Sequence, residues 1–156
     1  MGVLFDYFSA ESDETAASTI DLLGGPGAQQ AGTPDDVPFD TVSVKGIDPV
    51  VQLGTLEALL TGRDYGQIVA GPRAGNSLAV RDGGERVVVT LTDELQDALA
   101  DSNDGQLTSV AVPWSQTEEF WGRGDPQVLT SLLHELAGLA RRARSKGQRL
   151  YCWICV

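Results

Sequence analysis

The sequence predicts one α+β domain, a mixed β-sheet of about five or six strands with helices packed on it, and three observations carry that expectation. The chain of 156 residues is the usual size of one domain and long enough to bury a core. Apolar residues make up 42% of it and charged residues 21%, a balance that favours a folded chain over a disordered one. Along the chain the apolar pattern alternates between the two-residue period of strands and the 3.6-residue period of helices.

The elements follow in order. Val3–Phe8 (VLFDYF) places aromatic and β-branched groups on both alternating faces, the pattern of a strand covered on both sides, with Asp6 its one ionisable member. Ser12 ahead of Asp13 and Glu14 is a capping residue followed by first-turn acids. Ala16, Ile20 and Leu23 then recur at helical spacing until Gly24 stops the helix. Residues 24–38 (GGPGAQQAGTPDDVP) have no apolar period and read as a flexible surface loop. Thr41, Val42 and Val44 suggest a short strand. Asp48 and Pro49 then open a second helix, a capping acid before the imino residue, which stops at Gly62.

Leu78–Val80 and Val87–Leu91 flank Asp82-Gly83-Gly84, the chemistry of a hairpin turn. Thr92 or Asp93 caps a third helix with Leu95, Ala98 and Leu99 inward. Leu107–Val112 reads as a further strand, and Ser115 with Glu118 has capping-box spacing for a short helix bearing Phe120 and Trp121. Asp125-Pro126 opens the longest helix, which runs to Lys146 with Leu129, Leu132, Leu133 and Leu136 on one stripe and Gly147 closing it. Leu150–Val156 (LYCWICV) is apolar on both faces, as expected of a strand in the middle of the sheet.

Composition also narrows the classes of function. A formal charge of −11 argues against nucleic acid as a partner, because phosphate recognition is driven by Lys and Arg; it steers the chain towards a basic protein partner or simply keeps it in solution. Residues 1–62 carry ten acids against the single base Lys45, whereas residues 123–149 carry Arg123, Arg141, Arg142, Arg144, Lys146 and Arg149 against Asp125 and Glu135. That basic run also suits the C-terminal dipole of a helix. No apolar run approaches the roughly 20 residues needed to span a bilayer, and the opening segment lacks the basic start of a signal peptide. With only Cys152 and Cys155 there is no disulfide framework, so a cytoplasmic location is expected.

Four features in chain order carry a resemblance: Met1-Gly2 with Tyr7-Phe8, the helix end Leu59-Leu60-Thr61-Gly62, the strand-to-helix run Val89-Thr90-Leu91-Thr92 ahead of Leu95, and a long helix ending near Gly147 before an apolar strand. In these the chain resembles the YfbM-like family, small proteins of unknown function, and the resemblance implies an α+β fold. The family's second helix carries an inward Trp and His. The matching positions here are Leu53 and Glu57, so any pocket those aromatics mark in the family is altered in this chain.

Several residues are candidates for chemistry. Helical phase puts Glu57 within the stripe of Val50, Leu53, Leu56 and Leu60, where a carboxylate must be paired, hydrogen-bonded or neutral, or else sit at the stripe's edge and reach water or an arginine. Asp6 shares a strand face with Leu4 and Phe8. Together Asp6 and Glu57 are the candidate catalytic residues, a carboxylate pair of the kind a small hydrolase divides into acid and base; the alternative leaves Asp6 satisfied by backbone or hydroxyl groups. Trp114, Glu118, Glu119 and Trp121 lie in a segment of large aromatic area with polar handles, either a binding surface or a short helix burying its rings.

His134, the single histidine, falls about 140° from Leu129 on the helix and is expected in solvent. It cannot form a multi-histidine metal site. Cys152 and Cys155 have the spacing of a redox dithiol, but a strand points them to opposite faces, and no second pair completes a zinc site. The sequence thus implies no cofactor and no metal, and favours a protein-binding module with an acidic face over an enzyme.

Overall fold

The computed structural model describes residues 3–22, 24–28, 39–120 and 123–156. They form one α+β domain: a five-stranded sheet with helices on both faces. The strands are β1 (Leu4–Ala10), β2 (Thr41–Lys45), β3 (Ser77–Arg81), β4 (Arg86–Thr90) and β5 (Arg149–Cys155). They lie in the order β2-β1-β5-β4-β3, and every pairing is antiparallel, so the sheet is not mixed as the sequence suggested. The C-terminal strand is indeed central, with β1 and β4 as neighbours.

The helices are α1 (Asp13–Ser18), α2 (Val51–Thr61), α3 (Tyr65–Val69), α4 (Asp93–Asp101), α5 (Asp104–Ser115) and α6 (Pro126–Ser145). Local chemistry starts most of them. Ser12, Asp64, Thr92, Asn103 and Asp125 each accept a first-turn N–H on a side-chain oxygen. Asp48 does the same for α2: its Oδ1 accepts from Val50 N at 2.7 Å and Val51 N at 2.8 Å, while Gln52 Oε1 accepts from Asp48 N. Gly62, at φ +74°, ends that helix in the left-handed conformation that favours glycine.

Two faces of the sheet bury two cores. On the larger side Phe5 and Tyr7 of β1 and Leu150 and Cys152 of β5 meet α2, α4, α5 and α6. On the smaller side Phe8, Ala10, Val88, Tyr151 and Trp153 meet Ala16 and Ile20 of the first helical segment. Each fully buried leucine on the larger side contributes on the order of 2 kcal/mol, so Leu133, Leu136 and Leu139 of α6 make it the principal cover.

Three expectations are corrected. Leu107–Val112 is not a strand but the middle of α5, where Asn103 and Gln106 exchange side-chain and backbone hydrogen bonds at 2.8 Å and Leu107, Ala111 and Trp114 form the buried stripe. The β-branched run hid that stripe. Ser115 ends α5 instead of capping a new helix, and Glu118–Phe120 forms only a 3-10 turn. The first helix gives way after Ser18 to a 3-10 turn, Thr19–Asp21; Leu23 lies outside the described residues. Of the loop expected over residues 24–38, residues 29–38 lie outside the described residues, while Gly25 and Pro26 are buried.

Four of the six basic residues of the C-terminal run are spent internally. Arg141 donates to the carbonyls of Ala100 (3.1 Å) and Ser102 (2.5 Å), so it satisfies the C-terminal end of α4 and not of its own helix. Arg142 pairs with Asp40, Arg144 with Asp97 and Asp101, and Arg149 with Asp93.

Candidate functional site

Glu57 lies on the inward face of α2 and is 1% exposed, so the helical-phase reading holds. Its Oε1 accepts the hydroxyl of Thr92, and its Oε2 lies 3.4 Å from Arg63 Nη1. Both readings of this residue are therefore realised at once, a buried carboxylate and one that reaches an arginine. Burial raises its pKa above the ordinary carboxylate value, with the Thr92 hydrogen bond and the Arg63 charge opposing that rise.

The carboxylate borders a small cavity of about 10 Å³, lined also by Leu53, Ile68, Leu91, Thr92 and Leu95, room for about one water. Ile68 and Thr92 also line a second, wider cavity of about 200 Å³, whose other walls are Arg63, Gly71, Pro72, Arg73, Asp93 and Glu94. The two share Ile68 and Thr92 and lie side by side in the cleft between the α2–α3 unit and the start of α4, with a buried acid at the smaller and charged side chains at the larger.

Arg73 organises the charged side chains. Its Nη1 lies 3.2 Å from both carboxylate oxygens of Asp13, the first residue of α1, and its Nε lies 3.8 Å from Asp93, the first residue of α4. Tyr151 donates its hydroxyl to Asp13 at 2.7 Å, and its ring lies 5.7 Å below the guanidinium. These hydrogen bonds, from Tyr151 first and then Arg73, hold the Asp13 carboxyl below its usual value. Burial and the Asp13 hydrogen bond push the Tyr151 phenol up to about 12. The Thr90 hydroxyl donates to the Arg73 carbonyl at 2.6 Å and accepts from Asn76 N, which ties the arginine's loop to β4.

Two helices thus begin alike. Ser12-Asp13-Glu14 and Thr92-Asp93-Glu94 each supply a cap, an aspartate drawn toward Arg73 and a glutamate in solvent. Sequence reasoning missed Arg73 because it stands in GPRAG, a stretch without period, and missed Arg63 for the same reason. The repeated cap-Asp-Glu triplet was the one available signal.

The carboxylate pair is not assembled. Asp6 projects with Phe8 to the smaller core, opposite Ser43 and Trp153 in register, whereas α2 covers the other face with Phe5 and Tyr7. The two-residue period of β1 therefore puts the sheet between Asp6 and Glu57, and they share no cleft. Asp6 is 7% exposed; burial raises its pKa against an opposing hydrogen bond from Ser43, so the reading in which hydroxyl groups satisfy it is the one the structure supports.

Trp114 is fully buried, donates Nε1–H to the Gln52 carbonyl at 2.9 Å and packs edge-on against Phe120. It joins α5 to α2 within the core and does not reach the Glu57 cleft. Glu118 is exposed and Glu119 half-buried in the following 3-10 turn, and Trp121 lies outside the described residues. His134 is half-buried, with Nδ1 3.3 Å from Asp104. Cys152 is buried in the larger core, and Cys155 packs against the smaller one, on the opposite face. Among the described residues no group of three or more His, Cys, Asp or Glu is placed to hold a metal ion. Among them, too, no helix is long and apolar enough to cross a membrane.

The chain matches no family model, no curated protein and no solved structure.

Proposed function

We propose that the protein is a cytoplasmic, non-enzymatic binding module that docks a basic protein partner on the acidic corner around Arg73. The disposition of charge supports this reading. The arginines are largely consumed by internal ion pairs, including Arg142, Arg144 and Arg149 of the basic C-terminal run, while the surplus of acid is left in solvent. Arg73 draws the acidic first turns of α1 and α4 together, so Glu14 and Glu94, both exposed and outside any ion pair among the described residues, flank one corner with Glu11 nearby. A lysine- or arginine-rich surface gains there by long-range attraction, which speeds encounter more than it tightens the complex. Kinship with the YfbM-like proteins is likewise our proposal, resting on the order of motifs along the chain; it adds no activity.

The test is a fluorescence-anisotropy titration with a labelled Lys/Arg-rich peptide at low and at high salt. Reversing Glu14 and Glu94 to Lys should weaken binding by at least about tenfold, more than reversing Glu85 and Glu135 elsewhere on the surface. Equal effects of the two double reversals would reduce the interaction to nonspecific attraction by net charge and sink the proposal.

A further inference from the structure

Arg73, in the wall of the cleft, carries a buried edge whose hydrogen bonds are not made. Arg73 spends Nη1 on Asp13, but its Nε and Nη2 are buried and have no hydrogen-bond partner among the described residues. These two N–H groups form the side of the guanidinium that meets a carboxylate in two parallel hydrogen bonds. Asp93 does not take that role: its Oδ1 stands 3.8 Å from Arg73 Nε and 3.3 Å from Arg149 Nε, closer to the other arginine. A charged donor left unpaired in this way costs more than a neutral one. An incoming carboxylate would relieve it while Asp93 keeps Arg149.

The remaining walls say what else the ligand carries. The cavity of about 200 Å³ is lined by two guanidiniums, Arg63 and Arg73, and two carboxylates, Asp93 and Glu94. Its charges cancel. A simple anion meets two acids, a simple cation meets two arginines, and a molecule bearing both charges is complementary to the whole lining. Ile68 and Pro72 offer an apolar wall. At about 200 Å³ the space is smaller than the roughly 300–1,000 Å³ of pockets that hold drug-sized ligands, so it suits a smaller molecule such as a single amino acid.

We propose that this cleft binds a free α-amino acid, its carboxylate on the Nε/Nη2 edge of Arg73 and its ammonium group toward Glu94. This goes beyond the basic-partner reading and stands without it, since the contacts lie inside the cleft and not on the outer acids alone. Because that edge is covered in the free protein, binding on this proposal requires Asp93, whose side chain is about half exposed, to turn toward Arg149 and uncover it.

Isothermal titration calorimetry of the full chain tests it, with glycine, leucine, lysine and glutamate each taken to about 10 mM, against acetate, methylammonium and N-acetyl-leucine. At least one amino acid should bind, and the controls, each lacking one charge, should bind at least about tenfold more weakly. Glu94→Gln should cost a similar factor. Arg73→Lys keeps a charge for Asp13 but removes the fork, and should abolish binding while cooperative unfolding persists; should that variant fail to fold, Glu94→Gln decides. Absence of heat from all four amino acids, acetate or N-acetyl-leucine binding as well as leucine, or wild-type affinity in Glu94→Gln would each overturn the proposal. Failure of the peptide titration leaves these outcomes unchanged, so the two readings fail separately.

Discussion

One hydroxyl joins Thr92 to Glu57: Thr92 Oγ1 donates to the buried carboxylate while the same oxygen accepts Leu95 N at 3.1 Å as the cap of α4. The wall of the cleft and the start of a helix therefore share one atom. Thr92→Val keeps the shape but loses both bonds. It should cost about 2 to 4 kcal/mol, the sum of a lost cap and a buried carboxylate stripped of one donor, whereas Thr92→Ser should cost under about 1 kcal/mol. Urea denaturation of the two variants checks this, and equal losses would show that the hydroxyl is not what matters.

Glu57 gives stability a pH dependence whose sign can be worked out. Its folded pKa is raised above 4.5, so the fold favours the protonated acid. The corresponding stabilisation is fully present below the unfolded value and is lost as pH rises through the folded one. Glu57→Gln stays neutral and keeps an acceptor for Thr92. Relative to wild type, this variant should therefore gain stability as pH rises from about 4 to 7. Denaturation midpoints across that range provide the measurement, and parallel curves for the two proteins would contradict it.

Asp13 runs the opposite way. Its folded pKa is depressed by Tyr151 and Arg73, so its stabilisation is present above the unfolded value near 3.8 and is lost as pH falls through the folded one. The stability gap between wild type and Asp13→Asn should narrow on acidification below about pH 4. Tyr151→Phe, which removes one donor to this carboxylate, should cost about 1 kcal/mol at neutral pH. A gap that stays constant with pH would show that Asp13 does not titrate differently in the folded chain.

The fold was legible where sequence periods are unambiguous. The stripe of α6, the twofold-buried β5 and the Asp82-Gly83-Gly84 turn each came from a local pattern that packing then reinforced. α5 was misread because Thr108, Val110 and Val112 favour strands, yet Leu107, Ala111 and Trp114 make a helix that buries a tryptophan. α3, five residues with an internal glycine, is too short to show a period. For the site, phase placed Glu57 correctly because its neighbours lie on the same helix. Phase could not say which side of the sheet α2 would cover, so the pairing with Asp6 failed. The Arg73 corner was illegible for a similar reason: it joins four separate segments, and only three dimensions bring them together.

Trp114 distinguishes a core role from a recognition role. As a fully buried ring with its N–H satisfied, Trp114→Ala should cost about 3 to 5 kcal/mol and Trp114→Phe less. Trp114→Phe should leave affinity for the basic peptide unchanged. A variant that folds with wild-type stability but loses peptide binding would return the tryptophan to the binding surface.

Gly25 reports on the packing over Asp6. Its φ is +88°, and a Cβ there would stand 2.5 Å from Asp6 Oδ2 and 3.0 Å from the Trp153 ring. Gly83 has a comparable φ of +69°, but a Cβ on it meets nothing within 4 Å. Both alanine variants incur the left-handed strain of about 1 kcal/mol, and only Gly25→Ala adds a clash with a buried carboxylate and an indole. Gly25→Ala should therefore be the more destabilising by at least about 1 kcal/mol, because overpacking a tight site costs roughly 1 to 3 kcal/mol. Thermal unfolding of the two variants side by side isolates that contact, and equal losses would mean that the glycine turn does not press on Asp6 and Trp153 in solution.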